Sequence, residues 1–94
     1  MKPIFITIDE LKEYLNEFFP EESIVFFPDF VSAIVGISHD NRLIYSFELM
    51  AQSLVLEGAD YESALDYLYY NTIPSIPNIG INAPIVLFDI EYGD

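Results

Sequence analysis

The sequence contains no cysteine and few basic residues. Three Lys+Arg stand against sixteen Asp+Glu among its 94 residues, which gives a formal net charge of −13. Without cysteine there can be no disulfide, thiolate metal site or cysteine nucleophile. The shortage of basic residues excludes direct electrostatic capture of nucleic acid or of a membrane surface, because both require basic patches.

Long apolar runs and glycine clusters are also missing. No apolar stretch approaches the ~20 residues that cross a bilayer. The first residues carry a single cation and reach acidic residues by Asp9, unlike a signal peptide. We therefore expect a cytoplasmic protein. The four glycines are scattered, and no P-loop, dinucleotide-binding or zinc-protease motif is present. The sequence predicts no cofactor.

What the sequence does contain is apolar and aromatic residues, at 52% and 16% of the chain. A disordered acidic segment would be poor in both. The length and composition therefore predict a single acidic domain over residues 1–94, with a small hydrophobic core.

The first predicted element is an amphipathic helix that ends at Pro20. Thr7 and Glu10 have the spacing of a capping box, in which each side chain satisfies the other residue's backbone N–H. Apolar residues then recur at helical spacing and predict one buried face. This face comprises Leu11, Tyr14, Leu15, Phe18 and Phe19.

Three strands are predicted next. Residues 23–27 are β-branched and aromatic, which is typical of a short strand. Residues 31–38 form a second strand, in which Gly36 would allow a bulge. The turn residues His39, Asp40 and Asn41 lead to a third strand over residues 42–45. The last two strands form a β-hairpin.

Two more helices and a last strand complete the predicted fold. Ser46 caps a helix that ends at Gly58, and Asp60 caps another that ends at Asn71–Thr72. Residues 73–84 contain three prolines and a glycine and are predicted as a loop. Residues 85–90 form the final strand. The order α-β-β-β-α-α-β predicts an α+β fold, with a small antiparallel sheet of three or four strands and three helices on one face.

His39 is the one histidine in the chain. Its place in a predicted turn indicates a turn residue. As a general base it would lack a nucleophile partner, because the neighbouring Ser38 would point to the opposite face of its strand. An enzyme would instead need a pocket around His39. Residues 39–41 could give weak ligands to Ca²⁺ or Mg²⁺, but they lack the ligand series of an EF-hand loop. We predict neither a metal site nor catalytic residues.

The acidic residues are grouped along the chain. Glu10, Glu13 and Glu17 share one face of the first helix, where neighbouring carboxylates lie roughly 5–6 Å apart at Cβ. Later acidic residues include Glu62 and Asp66. A further group comprises Asp89, Glu91 and Asp94. Such faces can simply be solvated and keep the protein soluble. Alternatively, they can mimic nucleic acid and occupy the basic groove of a partner protein.

Two tyrosines lie off the apolar stripe of the third helix. Tyr67 and Tyr70 either cover the edge of the sheet or pack under the proline-rich loop, or they mark a protein interface or a homodimer seam. Tyrosine suits interfaces because it combines a large apolar ring with a polar tip.

The segment Ala33–Val86 resembles a family of small, uncharacterised acidic proteins of bacteria and phages. The resemblance rests on four segments and covers little more than half of the chain. These are Ala33–Ile37, Arg42–Tyr45, Ala64–Thr72 and Pro84–Val86. It implies no catalytic or binding residue. In type, though by no motif, the chain is also similar to phage-encoded anti-CRISPR and anti-restriction inhibitors, which vary widely in fold.

From these observations we expect a non-enzymatic binding protein. The favoured interpretation is an inhibitor that pairs Glu10, Glu13, Glu17, Glu62 and Asp66 with basic residues of a nucleic-acid-handling protein. The alternative is a structural or accessory protein that self-associates through Tyr67, Tyr70 and a sheet edge.

Overall fold

The computed structural model describes residues 3–90, which form an α+β fold around a three-stranded sheet. This confirms the predicted fold class. The helices of this region are α1 (Ile8–Phe18), α2 (Phe47–Leu56), α3 (Tyr61–Tyr67) and the short α4 (Ile73–Ser75). The strands are β1 (Ile34–Ile37), β2 (Leu43–Ser46) and β3 (Ile85–Leu87).

Helix α1 begins with the predicted capping box. The Glu10 N–H donates to the Thr7 hydroxyl at 3.2 Å, and the Thr7 N–H donates to the Glu10 carboxylate at 2.9 Å. The predicted apolar face is only partly covered. Leu11 is fully buried, whereas Tyr14 and Phe18 remain exposed. The exposed rings pack on each other, with centroids 4.7 Å apart.

The predicted strand at residues 23–27 is wrong, because this segment is irregular and joins no sheet. Its Phe27 N–H donates instead to the buried Tyr45 hydroxyl at 2.8 Å. The strand predicted over residues 31–38 is also shorter than expected. Pro28–Ala33 forms two short 3₁₀ turns separated by a kink at Phe30. Phe30 and Val31 are buried in this segment, and β1 starts only at Ile34.

The predicted β-hairpin is confirmed. Strands β1 and β2 are antiparallel, and their register shifts between Ile34 and Gly36, where the sequence suggested a bulge. The turn contains Asn41 with a φ of 61°, a left-handed conformation that asparagine tolerates better than most residues.

The final strand pairs with the hairpin in parallel, which corrects the prediction of a purely antiparallel sheet. Strand β3 pairs with β2 and gives the order β1-β2-β3. A parallel pair needs a long crossover connection, and the helices between Ser46 and Ile85 supply one. Arg42 Nε donates to the Ala83 carbonyl at 2.7 Å and joins the chain just before β2 to that just before β3. The strand ends at Leu87, three residues earlier than expected.

The predicted caps of α2 and α3 are confirmed. The Ser46 hydroxyl accepts from the Leu49 N–H at 3.2 Å, and the Asp60 carboxylate accepts from the Ser63 N–H at 2.8 Å. Gly58 follows α2 with a φ of +115°, a conformation that suits glycine at a helix C-terminus.

The chain does not leave the helix at Asn71–Thr72, and the loop predicted over residues 73–84 is helical in its first half. A π-helical turn over Leu68–Thr72 leads into α4 and then into a 3₁₀ turn, Ile76–Asn78. In a regular helix Pro74 would clash with the carbonyl four residues earlier. The wider turn, in which the Ile73 N–H bonds to the Leu68 carbonyl, precedes Pro74 directly.

The hydrophobic core joins the sheet to the helices. It comprises Phe5, Leu11, Phe30, Val31, Ala33, Ile34, Leu43, Tyr45, Phe47, Met50, Ala51, Ala64 and Leu68. Burial raises the pKa of the Tyr45 hydroxyl to about 12. None of the helices in residues 3–90 has the length and apolarity to cross a bilayer.

Candidate protein-binding surface

The predicted acidic face of α1 is exposed, but its members are not equivalent. Glu10, Glu13 and Glu17 all lie at the surface. Glu10 Oε1 accepts from the backbone N–H groups of both Ile6 and Thr7 at 2.9 Å. These two hydrogen bonds lower the pKa of the Glu10 carboxyl. Glu10 therefore serves the helix cap, whereas Glu13 and Glu17 are exposed without a role in that cap.

The predicted acidic residues of α3 are exposed as well. Glu62 and Asp66 are four residues apart and hence neighbours on one side of the helix. Asp60, just before them, is held as the N-cap, and the Ser63 N–H lowers the pKa of its carboxyl. Glu91 and Asp94, which the sequence places in a third acidic group, lie outside the described residues.

Ion pairing within residues 3–90 is confined to one contact. Arg42 lies 3.8 Å from Asp40. Every other carboxylate of this region thus lacks a partner among the cations that the region itself provides. The described surface therefore carries a strong excess of negative charge.

Tyr67 and Tyr70 are exposed to 47% and 78% of their surface. Tyr67 lines a shallow hollow of about 180 Å³ beside Phe27, Asp29 and Asn71. Tyr70 is thus largely uncovered, whereas about half of the Tyr67 side chain is covered by neighbouring residues. Both tyrosines are therefore available for contact with another molecule.

The hairpin turn contains the histidine and the turn residues that the sequence singled out. His39 is exposed. The Ser38 hydroxyl donates to the carboxylate of Asp40. This hydrogen bond, together with the nearby charge of Arg42, lowers the pKa of the Asp40 carboxyl. In the described part of the chain, no three His, Cys, Asp or Glu side chains come together to hold a metal ion.

A further site, which the sequence did not indicate, lies where α2 begins beside the end of β3. Its concave surface encloses about 370 Å³. We call it the aromatic notch, and its lining residues are Phe47, Glu48, Tyr61, Phe88 and Asp89.

Phe47 and Phe88 line the aromatic notch, and both pack against the ring of Tyr69, which lies outside the lining. The Phe47 ring centroid lies 5.1 Å from that of Tyr69 and 4.8 Å from that of Phe88. The Tyr69 and Phe88 rings are nearly parallel, at 18°, with their centroids 6.4 Å apart. Phe47 is buried, whereas Tyr69 and Phe88 are about half exposed. The exposed ring of Phe88 is therefore held against the buried ring of Phe47 and is accessible to solvent.

Two carboxylates are held in place at the aromatic notch. The Tyr61 hydroxyl donates to Glu48 Oε2 at 2.6 Å, and this carboxylate raises the pKa of Tyr61. The buried Ser46 hydroxyl, which caps α2, also donates to Asp89 Oδ1 at 2.7 Å. No basic side chain lines the site. The aromatic notch thus combines oriented negative charge with exposed ring surface, and its chemistry suits an organic cation.

Sequence reasoning missed this site because its residues come from three separate segments. A strand continuing through residue 90 would place Phe88 and Asp89 on opposite faces. In the structure β3 ends at Leu87, and its parallel pairing sets Leu87 opposite Ser46. Phe88 and Asp89, which follow Leu87, then lie beside the start of α2. The register of two distant strands was needed to find them.

Comparison with family models, with curated proteins and with solved structures gave no match to this chain. The resemblance to small acidic bacterial and phage proteins therefore stays a prediction. Function has to be inferred from the side chains that the fold exposes.

Proposed function

We propose that this protein is a non-enzymatic, cytoplasmic binding protein that inhibits a nucleic-acid-handling partner by occupying its basic surface. The observation that carries the proposal is the shortage of internal counter-charge. The chain has a net charge of −13, and within residues 3–90 a single ion pair uses one of its carboxylates.

The mechanism is that of nucleic-acid binding with the roles of the two surfaces exchanged. Glu13 and Glu17 on α1, with Glu62 and Asp66 on α3, pair with Arg or Lys side chains that otherwise hold phosphates. Glu10 adds charge to α1 while it stabilises the cap. Charge attraction makes such association fast, and salt weakens it steeply. An inhibitor of this kind would act like the anti-CRISPR and anti-restriction proteins that the chain resembles in type.

Capture from a nuclease-treated lysate of the source cells tests the proposal. The tagged protein is washed over a salt series from about 50 to 200 mM, the range in which contacts of this kind lose affinity. We expect basic nucleic-acid-binding proteins to be retained at low salt and released as salt rises. The identity of the retained species would name the partner.

A charge-neutral variant locates the binding surface. It carries Glu13→Gln, Glu17→Gln, Glu62→Gln and Asp66→Asn, and leaves Glu10 intact so that the helix cap is preserved. At about 0.2–1 kcal/mol for each exposed ion pair, we expect the four substitutions together to lower the affinity by roughly 4-fold to 1,000-fold.

The matched control loses the same charge elsewhere, through Glu21→Gln, Glu22→Gln, Asp29→Asn and Glu57→Gln. These four residues are exposed and lie outside α1 and α3. Retention should survive in the control. Equal loss in the two variants would contradict a binding role for the α1 and α3 faces, and capture of nothing basic would contradict the proposed function.

The exposure of Tyr70 favours a second candidate function, self-association through Tyr67, Tyr70 and a sheet edge. The Tyr70 ring is 78% exposed, and it would contribute to the free energy of association when a partner surface covers it. This function predicts an oligomer in light scattering that changes little with salt and becomes monomeric in Tyr70→Ser. A monomer in the unsubstituted protein at all concentrations would contradict it.

A further inference from the structure

The aromatic notch is built to receive a cation rather than an anion. Glu48 and Asp89 lie on its lining with Phe47 and Phe88, and no Lys, Arg or His does. A phosphate or carboxylate ligand would meet two fixed negative charges there. A cation would meet the same two charges and the negative faces of the rings.

The geometry points to a planar cation. Phe88 lines the aromatic notch and is about half exposed, so that its ring offers surface on which a flat group can stack. The guanidinium of arginine stacks on aromatic rings and donates to carboxylates in its own plane. The ammonium of lysine is compact and strongly hydrated, which makes it a weaker match to stacked rings.

The surface beside the aromatic notch indicates which kind of side chain would lie next to the bound cation. A second hollow of about 380 Å³ shares Glu48 and Tyr61 with it and continues along Gln52, Val55 and Leu56. Leu56 is 89% exposed and gives this hollow an apolar rim. The two hollows together fit a short segment in which an arginine stands next to an apolar side chain.

We infer that the aromatic notch binds an arginine side chain of a partner protein, stacked on Phe88 and paired with Glu48 and Asp89. This inference rests on the proposed function in taking the partner to be a basic protein. It adds a specific contact to the diffuse attraction of the α1 and α3 faces. Within the binding reaction, those faces would accelerate encounter and the aromatic notch would select arginine over lysine.

The test is a titration followed by the amide resonances of the ¹⁵N-labelled full chain. Three probes are compared: acetyl-Leu-Arg-Leu-amide, its lysine counterpart, and its citrulline counterpart, which keeps the planar shape without the charge. We expect the arginine peptide to cause saturable shifts centred on the amides of Phe47, Glu48, Tyr61 and Phe88. The lysine peptide should bind more weakly, and the citrulline peptide should cause no saturable shift.

Two variants separate the contributions of ring and charge. Phe88→Ala removes an exposed ring, and loss of a cation–π contact of about 1–2 kcal/mol should weaken the arginine peptide about 5- to 30-fold. Glu48→Gln keeps the shape of the side chain and removes one charge, and it should also weaken binding. Glu21→Gln removes the same charge at an exposed position outside α1, α3 and the aromatic notch, and should leave the affinity unchanged.

Three results would overturn the inference. The first is a set of shifts spread evenly over the surface carboxylates. The second is equal affinity for the arginine and lysine peptides, and the third is equal affinity of the Glu48→Gln and Glu21→Gln variants for the arginine peptide. Failure of this kind leaves the proposed function standing if basic proteins are still captured from lysate. Conversely, an arginine-selective aromatic notch in a protein that captures nothing basic would contradict the proposed function alone.

Discussion

Glu10 illustrates how one residue can serve both the fold and the charge of the surface. Its carboxylate accepts two backbone N–H groups at the start of α1 and remains exposed to solvent. Those hydrogen bonds favour the charged form, so the pKa of Glu10 in the folded chain lies below its ordinary value. The folded state is therefore stabilised above the ordinary pKa, and this contribution is lost as the pH falls through the lowered one.

We predict that Glu10→Gln removes this pH dependence. Glutamine can still cap the helix, but it carries no charge to be stabilised. The free energy of unfolding of the variant should be lower than that of the unsubstituted protein at neutral pH. The difference should shrink as the pH falls below the ordinary glutamate range. Urea denaturation at a series of pH values measures both quantities.

Glu13→Gln is the matched control, because Glu13 is an exposed glutamate on the same helix. Removal of its charge relieves repulsion within an acidic face and should not destabilise the protein at neutral pH. If Glu10→Gln and Glu13→Gln gave the same change in stability at every pH, the role assigned to the Glu10 hydrogen bonds would be wrong.

At the scale of elements, the features predicted correctly are those encoded within a few residues. The cap of α1 needs only Thr7 and Glu10, and the caps of α2 and α3 need only Ser46 and Asp60 with their own first turns. The hairpin likewise depends on a short turn between adjacent strands. Such features follow from local hydrogen-bonding chemistry and can be predicted from sequence.

The errors arose where a distant residue decides the local structure. Residues 23–27 have strand composition, yet Phe27 bonds to the side chain of Tyr45 instead of to a strand. Strand β3 was predicted, but its parallel direction depends on the whole crossover from Ser46. The aromatic notch depends on that direction. The acidic and tyrosine residues were found exposed, but the pocket that joins charge to ring surface could not be predicted from the sequence.

The parallel pairing of β3 gives Arg42 a structural role that can be tested. Its Nε donates to the Ala83 carbonyl, and the charged donor makes this a stronger bond than a neutral pair. We predict that Arg42→Met loosens β3, at a cost of about 1–2 kcal/mol. Hydrogen exchange should accelerate at the amides of β3 by roughly 5- to 30-fold, with a smaller change in β1.

Lys12→Met provides the control for charge, since Lys12 is exposed on α1 and the substitution removes the same positive charge. Exchange in β3 should be unchanged in this variant. Equal acceleration in both variants would show that net charge, and not the hydrogen bond to Ala83, governs the stability of β3.

At the scale of the whole molecule, repulsion between carboxylates opposes folding. The net charge is −13, and residues 3–90 contain one ion pair to offset it. Folding brings these charges closer together than they are in the unfolded chain, so the compact state carries the larger electrostatic penalty. The same repulsion would be relieved by a basic partner, which links the stability of the protein to its proposed function.

We predict that sodium chloride stabilises the isolated protein. The screening length falls to about 10 Å at 0.1 M salt, which weakens repulsion between separate acidic faces. A gain of about 1 kcal/mol would raise the melting temperature by roughly 4–8 °C in a domain of this size. The variant with Glu13, Glu17, Glu62 and Asp66 neutralised should melt higher at low salt and respond less to added salt. A melting temperature that is independent of salt in both proteins would mean that the carboxylates are already compensated. It would remove the unmet negative charge on which binding to a basic surface depends.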